Sequence, residues 1–88
     1  MVNIAILEDD TDQAKMLSRW LTERGYEVNH CDNGEEFLRL FESRSFDMAI
    51  LDWQLPGLSG IEVLRHIRQT LESNIPILFA TQKNDESD

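Results

Sequence analysis

Five side chains carry the chemistry that this sequence can offer. Glu8, Asp9 and Asp10 stand in a row directly after the apolar run VNIAIL. Asp52 follows a second such run in ILDWQLPGLSG, and Thr81 follows a third, IPILFA. Several carboxylates and one hydroxyl far apart in the chain become one site only if the apolar runs bring their ends together. Like charges within a few ångströms oppose one another unless a cation neutralises them. A hard divalent ion with oxygen ligands suits such a group, and Mg²⁺ takes one or two carboxylates while keeping waters and a phosphate oxygen. An Asp oxygen beside Mg²⁺ can also attack a phosphoryl donor to give an acyl phosphate. The set points to phosphate chemistry more than to metal storage.

The elements that must position these groups follow from periodicity. Residues 2 to 7 and 46 to 51 are short, continuous apolar runs rich in branched side chains, as expected of strands buried on both faces. Residues 26 to 31 (YEVNHC) alternate more weakly, which suits an edge strand, and residues 75 to 80 read as a fourth strand with Pro76 near its start. Between them, Ala14, Leu17 and Leu21 predict a helix over about residues 12 to 24, with Thr11 or Asp12 as N-cap and Gly25 as C-cap. Asn33-Gly34 marks a turn before a short helix over 35 to 42 carrying Phe37, Leu38 and Phe41. Ile61, Leu64, Ile67 and Leu71 trace a third helix, with Glu62, Arg65, Arg68 and Glu72 mostly on its other face.

The order is therefore βαβαβαβ, which implies a parallel sheet covered on both faces through right-handed crossovers. Ligands of such sheets sit beyond the carboxyl ends of the strands. Glu8, Asp9, Asp10, Asp52 and Thr81 all lie there. The bland readings are that Asp9 and Asp10 only favour a helix N-terminus, that Asp52 is a plain cap, and that Thr81 simply ends a strand.

Composition narrows the partners. The chain has 88 residues, enough for one small domain, and at this size folding buries only about 60 to 65% of the unfolded surface. Seventeen Asp and Glu against eight Lys and Arg give a net charge of −9, which argues against binding of a nucleic-acid backbone by this segment. The single cysteine, Cys31, has no internal disulfide partner and no metal-site spacing, and reads as a small apolar residue at a strand end. No apolar run approaches a membrane span, and the N-terminus lacks a signal-peptide pattern, so a cytoplasmic, non-membrane protein is expected. His30 and His66 cluster with no other His or Cys and are read as structural, and Trp20 as helix packing.

With these pieces in place the sequence resembles the receiver domain of bacterial two-component response regulators. ILEDD after strand 1, ILDWQLPGLSG around Asp52 and FATQ after strand 4 carry the resemblance, which spans essentially the whole chain. It implies a flavodoxin-like, doubly wound sheet of order 2-1-3-4. Position by position it implies that Asp52 is the phospho-acceptor, and that Glu8 and Asp9 hold Mg²⁺ together with Asp52 and the backbone carbonyl of Gln54. Thr81 becomes the hydroxyl that moves toward the phosphoryl group, while Pro56, Gly57 and Gly60 shape the loop and Asp10 has a supporting role. A sensor histidine kinase is the implied phosphoryl donor, and the domain is a phospho-acceptor, not a conventional enzyme. A haloacid-dehalogenase-type phosphatase also uses a strand-end Asp with Mg²⁺, but requires a second Asp two residues on, where this chain has Gln54.

The family pattern goes on to a fourth helix, a fifth strand ending near a lysine, and a fifth helix, so residues 1 to 88 match its N-terminal part. Lys83 is too early to match that lysine. The expectation is that phosphoryl transfer to Asp52 is impaired in this form while Mg²⁺ binding persists. Strand 4 is expected to present an apolar edge through which the chain forms a homodimer or is poorly stable. The competing functional reading is a truncated receiver that serves as a dimerising interaction module without phosphotransfer.

Overall fold

The computed structural model describes residues 1 to 52 and 58 to 80. Four strands, β1 (Asn3–Leu7), β2 (Glu27–Cys31), β3 (Met48–Asp52) and β4 (Ile77–Ala80), alternate with helices α1 (Thr11–Glu23), α2 (Gly34–Ser43) and α3 (Gly60–Arg65). All strand pairs are parallel, in the order β2-β1-β3-β4. This is the doubly wound order expected, with β2 outermost on one side and β3 inside. The register pairs Leu7 with both Cys31 and Leu51, and Asp52 with Ala80, so the strand ends that precede the acidic residues are level.

Strands β1 and β3 are apolar on both faces because helices cover both. Ala5, Leu7, Ala49 and Leu51 pack with Phe37 and Phe46 and with Val63 and Ile67, the side of α2 and α3. Ile4, Ile6 and Ile50 pack with Leu21 of α1 on the other side. Among the described residues no helix is long and apolar enough to cross a membrane.

Several local expectations are corrected. The N-cap of α1 is Asp10, whose side chain accepts from the N–H groups of Asp12 (3.0 Å) and Gln13 (3.1 Å); Thr11 is already the first helical residue. At the other end Gly25 closes the helix at φ 92°, with its N–H on Thr22 O and that of Tyr26 on Leu21 O, a geometry that excludes most side chains. Helix α2 starts at Gly34, capped by Asn33, whose side chain accepts from Glu36 N at 2.9 Å. Strand β3 begins at Met48, two residues later than its apolar run suggests, because Phe46 turns under the helix to stack on Phe41 at 5.7 Å. Strand β4 begins at Ile77, and Pro76 contributes only its carbonyl, which accepts from Ala49 N.

Beyond Arg65, α3 runs into a π-helical turn, His66–Thr70, followed by Glu72 in the left-handed region at φ 54°. Arg68 does not lie on a free polar face: it is half-buried, and Nη1 donates to Ser73 O (3.0 Å) and Ile75 O (2.7 Å), tying this turn to the start of β4. Trp20 does not pack inside either. It is 51% exposed, with the Arg24 guanidinium 4.0 Å above its ring.

Candidate functional site

The level strand ends bring Glu8, Asp9 and Asp52 together. One carboxylate oxygen from each lies within 4.8 Å of the others. Glu8 is 1% exposed and Asp52 5%, whereas Asp9 is open to solvent, so the group is a buried pair with an accessible third acid at its mouth. Ligands on one Mg²⁺ octahedron sit no more than about 4.2 Å apart. Of three such ligands at most one pair is opposite, so the other separations must close to about 3 Å, or a water must be shared, for one ion to bind all three.

Glu8 is fixed by its backbone and by its carboxylate. Its N–H donates to Cys31 O (3.1 Å), which extends the β1–β2 ladder one step past Leu7. Its Oε2 accepts from Asp10 N at 3.2 Å, and its carbonyl oxygen accepts from His30 Nε2 at 2.7 Å. Asp10 stands outside the carboxylate group, and its side chain caps α1.

Asp52 is the last residue of β3. Its main chain is crowded by the start of α3: a Cβ added at Gly60 would lie 2.3 Å from the Asp52 carbonyl oxygen and 3.1 Å from the Phe79 ring. Only glycine allows this approach. Ser59 and Glu62 form a reciprocal cap at that helix start, Glu62 N donating to Ser59 Oγ (3.2 Å) and Ser59 N to Glu62 Oε1 (3.0 Å). The position of Asp52 therefore depends on a helix terminus that the sequence marks with Ser-Gly-x-Glu.

Trp53, Gln54, Pro56, Gly57, Thr81 and Lys83 lie outside the described residues. His66 sits on the π turn, 4.0 Å from Glu42, and belongs to no acidic site. Cys31 is partly buried against the α2 side of the core, as expected of a small apolar residue. Its thiol pKa is raised above the ordinary 9.0 by burial first, then by the nearby charges of Glu36 and Asp32.

Residues 4–88 match the family model of the response regulator receiver domain. The chain belongs to that family. This receiver domain is 44% identical over 85 residues to the transcriptional regulatory protein YrkP of Bacillus subtilis (strain 168), covering 97% of the chain and 36% of that protein. It thus spans a little over a third of the length of the curated relatives it matches. Among solved structures it resembles the response regulator protein TrrA of Thermotoga maritima in complex with Mg(2+)-BeF, with TM-score 0.88 and 36% identity over 94% of this chain and 71% of that one. The same regulator in complex with histidine kinase ThkA matches with TM-score 0.86 and 36% identity, over 100% of this chain and 76% of that one. The flavodoxin-like fold that the resemblance implies is that of the family.

Proposed function

We propose that this receiver domain takes a phosphoryl group on Asp52 from a sensor histidine kinase in a Mg²⁺-dependent step, and that the phosphorylated state controls an output. The carrying observation is the trio of carboxylate oxygens within 4.8 Å at the carboxyl edge of the sheet, two of the acids buried and one open. Oxygen-only donors of that charge fit Mg²⁺. Glu8, Asp9 and Asp52 would hold the ion, with the main-chain carbonyl of Gln54 as a further ligand. When bound, Mg²⁺ neutralises these carboxylates and the incoming phosphoryl oxygens.

Asp52 supplies the nucleophile. A carboxylate oxygen attacks phosphorus, the bond from phosphorus to the kinase's imidazole nitrogen breaks, and the ring leaves with the electron pair and regains a proton from water. The product is an aspartyl phosphate. Burial of Asp52 and Glu8 limits water around that acyl phosphate, and the Thr81 hydroxyl is assigned the role of turning toward it. The domain is consumed and regenerated as a phospho-acceptor, so it is not an enzyme in the usual sense. Transcriptional control is the proposed output, supported by the names of the relatives, and the proposed setting is the cytoplasm. The net charge of −9 supports leaving nucleic-acid contact to other parts of such a regulator.

The test is a Mg²⁺ titration followed by tryptophan emission, since Trp53 adjoins Asp52 in sequence, and then addition of beryllofluoride as a phosphoryl mimic. Both should change the emission. Asp9→Asn and Asp52→Asn should each remove the response, and a response of equal size in these variants would overturn the assignment.

A second reading, that the chain acts as a self-associating interaction module, draws on the outer strand β4, where Leu78 is 53% exposed beside an apolar groove lined by Trp20, Leu17 and Met48. Size-exclusion chromatography with light scattering decides it: a folded monomer at micromolar concentration excludes the dimer.

A further inference from the structure

We propose that His30 is a positioning residue for the acidic cluster, holding the Glu8–Asp9 peptide in the orientation that lets both carboxylates reach one ion. The inference rests on the receiver reading above, in which that cluster takes Mg²⁺.

Strand β2 stops at Cys31, too early to serve the Glu8 carbonyl from its main chain. In the parallel ladder Leu7 pairs with Cys31, and Glu8 N donates to Cys31 O at 3.1 Å. Continuing that ladder, the next donor to β1 would be the main-chain N–H of residue 33, aimed at the Glu8 carbonyl. But β2 ends at Cys31, and Asn33 is already the N-cap of α2. The ring of His30 takes over: its Nε2 lies 2.7 Å from Glu8 O. A carbonyl only accepts, so Nε2 carries the hydrogen and donates.

The consequence falls on Asp9. Glu8 is buried, and its carboxylate is further steadied by Asp10 N on Oε2 at 3.2 Å. Asp9 is exposed, and the direction of its side chain depends on the peptide unit that joins it to Glu8. His30 holds the carbonyl of that unit, and β2 holds the Glu8 N–H of the peptide before it, so the main chain is fixed on both sides of the Glu8 Cα. Without the ring, water can satisfy the carbonyl, so folding loses little. The peptide is then freer to rotate, and the Asp9 carboxylate must be ordered at the moment the ion binds. Outer partners of this kind, which orient ligands they do not replace, commonly change metal affinity by about 10- to 100-fold. An exposed imidazole on a backbone group belongs at the lower end.

Isothermal titration calorimetry with Mg²⁺, alongside urea unfolding, tests this without any phosphoryl donor. His30→Ala should weaken Mg²⁺ binding about 5- to 10-fold while the unfolding midpoint stays close to that of the wild type. His30→Gln, whose amide nitrogen reaches as far from Cα as Nε2 does, should recover most of the affinity. Val28→Ala, on the same strand and packed against the α1 side of the core away from Glu8, should lower the midpoint but leave Mg²⁺ affinity unchanged. The proposal is overturned if His30→Ala binds Mg²⁺ as tightly as the wild type, if Gln restores nothing, or if Val28→Ala weakens binding as much as His30→Ala. Loss of binding in Asp9→Asn with full binding in His30→Ala would remove the role of His30 and leave the receiver reading standing. Absence of Mg²⁺ binding by the wild type would remove both.

Discussion

The two faces of the sheet are built from equally apolar strand residues but are closed very differently. On the side of α2 and α3, Phe37, Val63 and Ile67 are fully buried, and the Phe37, Phe41 and Phe46 rings stack in series at 6.0 and 5.7 Å. On the side of α1, among the described residues, Ile4, Ile6 and Ile50 meet one buried helix residue, Leu21. Beside it lies an apolar groove of about 550 Å³, with Trp20 and Leu78 at its open margin. The difference teaches that an apolar strand reports how its own residues are buried, not how many layers lie above them. Among the described residues the tighter packing lies on the α2 and α3 side.

Substitutions that touch each face should separate them. Phe37→Ala, at the centre of the closed side, should cost about 3–5 kcal/mol, enough in so small a domain to leave much of it unfolded at ambient temperature by circular dichroism. If Phe37→Ala cost no more than a change at Leu78, the two sides would not differ as described. Next comes Gly60→Ala, where the new methyl collides with the Asp52 carbonyl and must displace the end of β3, at about 1–3 kcal/mol. Because the backbone of Asp52 has to move, Mg²⁺ affinity should fall with stability. A Gly60→Ala variant with wild-type Mg²⁺ affinity would show that the site tolerates that shift.

Which parts of this were legible in advance follows the same division. VNIAIL and FDMAIL announce buried strands because both their faces are covered, IPILFA announces a strand that is only partly buried, and the level strand ends then place Glu8, Asp9 and Asp52 at one edge. Boundaries were less legible where neighbours compete. Asp10, Thr11 and Asp12 all own an oxygen that can cap a helix, and only the path of the chain after Glu8 selects Asp10. Phe46 is as apolar as its successors, yet stacking on Phe41 takes it out of β3. Nothing local marks the π turn, which is stabilised from a distance by Arg68 on the carbonyls of Ser73 and Ile75. From sequence His30 reads as structural, since it lies in an edge strand and shares no metal-site spacing with another His or Cys. Its partner is a main-chain carbonyl on another strand, which no pattern of side chains displays.

On the open side, Leu78→Ser should change monomer stability by less than about 0.5 kcal/mol, because the side chain is already half in water. Its effect should appear in association instead. If the chain self-associates through β4, the substitution should shift the light-scattering mass toward the monomer, and an unchanged dimer would place the contact elsewhere.

The smallest effect concerns the thiol at the end of β2, and it probes how well the α2 side is sealed near the site. Burial raises the Cys31 pKa first, with Glu36 and Asp32 adding to it. A thiol held protonated by the fold contributes stability that is complete below its ordinary value of 9.0 and is lost as pH rises through the higher folded value. The domain should therefore weaken only on the alkaline side of that point. At about pH 8 the thiolate is the reacting form, so iodoacetamide should label the folded chain more slowly than the urea-unfolded chain. Glu36→Gln should speed labelling more than Asp32→Asn, since Glu36 has the larger influence of the two charges. Equal labelling rates for folded and unfolded chain would mean that the end of β2 opens freely, and with it the strand terminus on which Glu8 depends for two of its backbone hydrogen bonds.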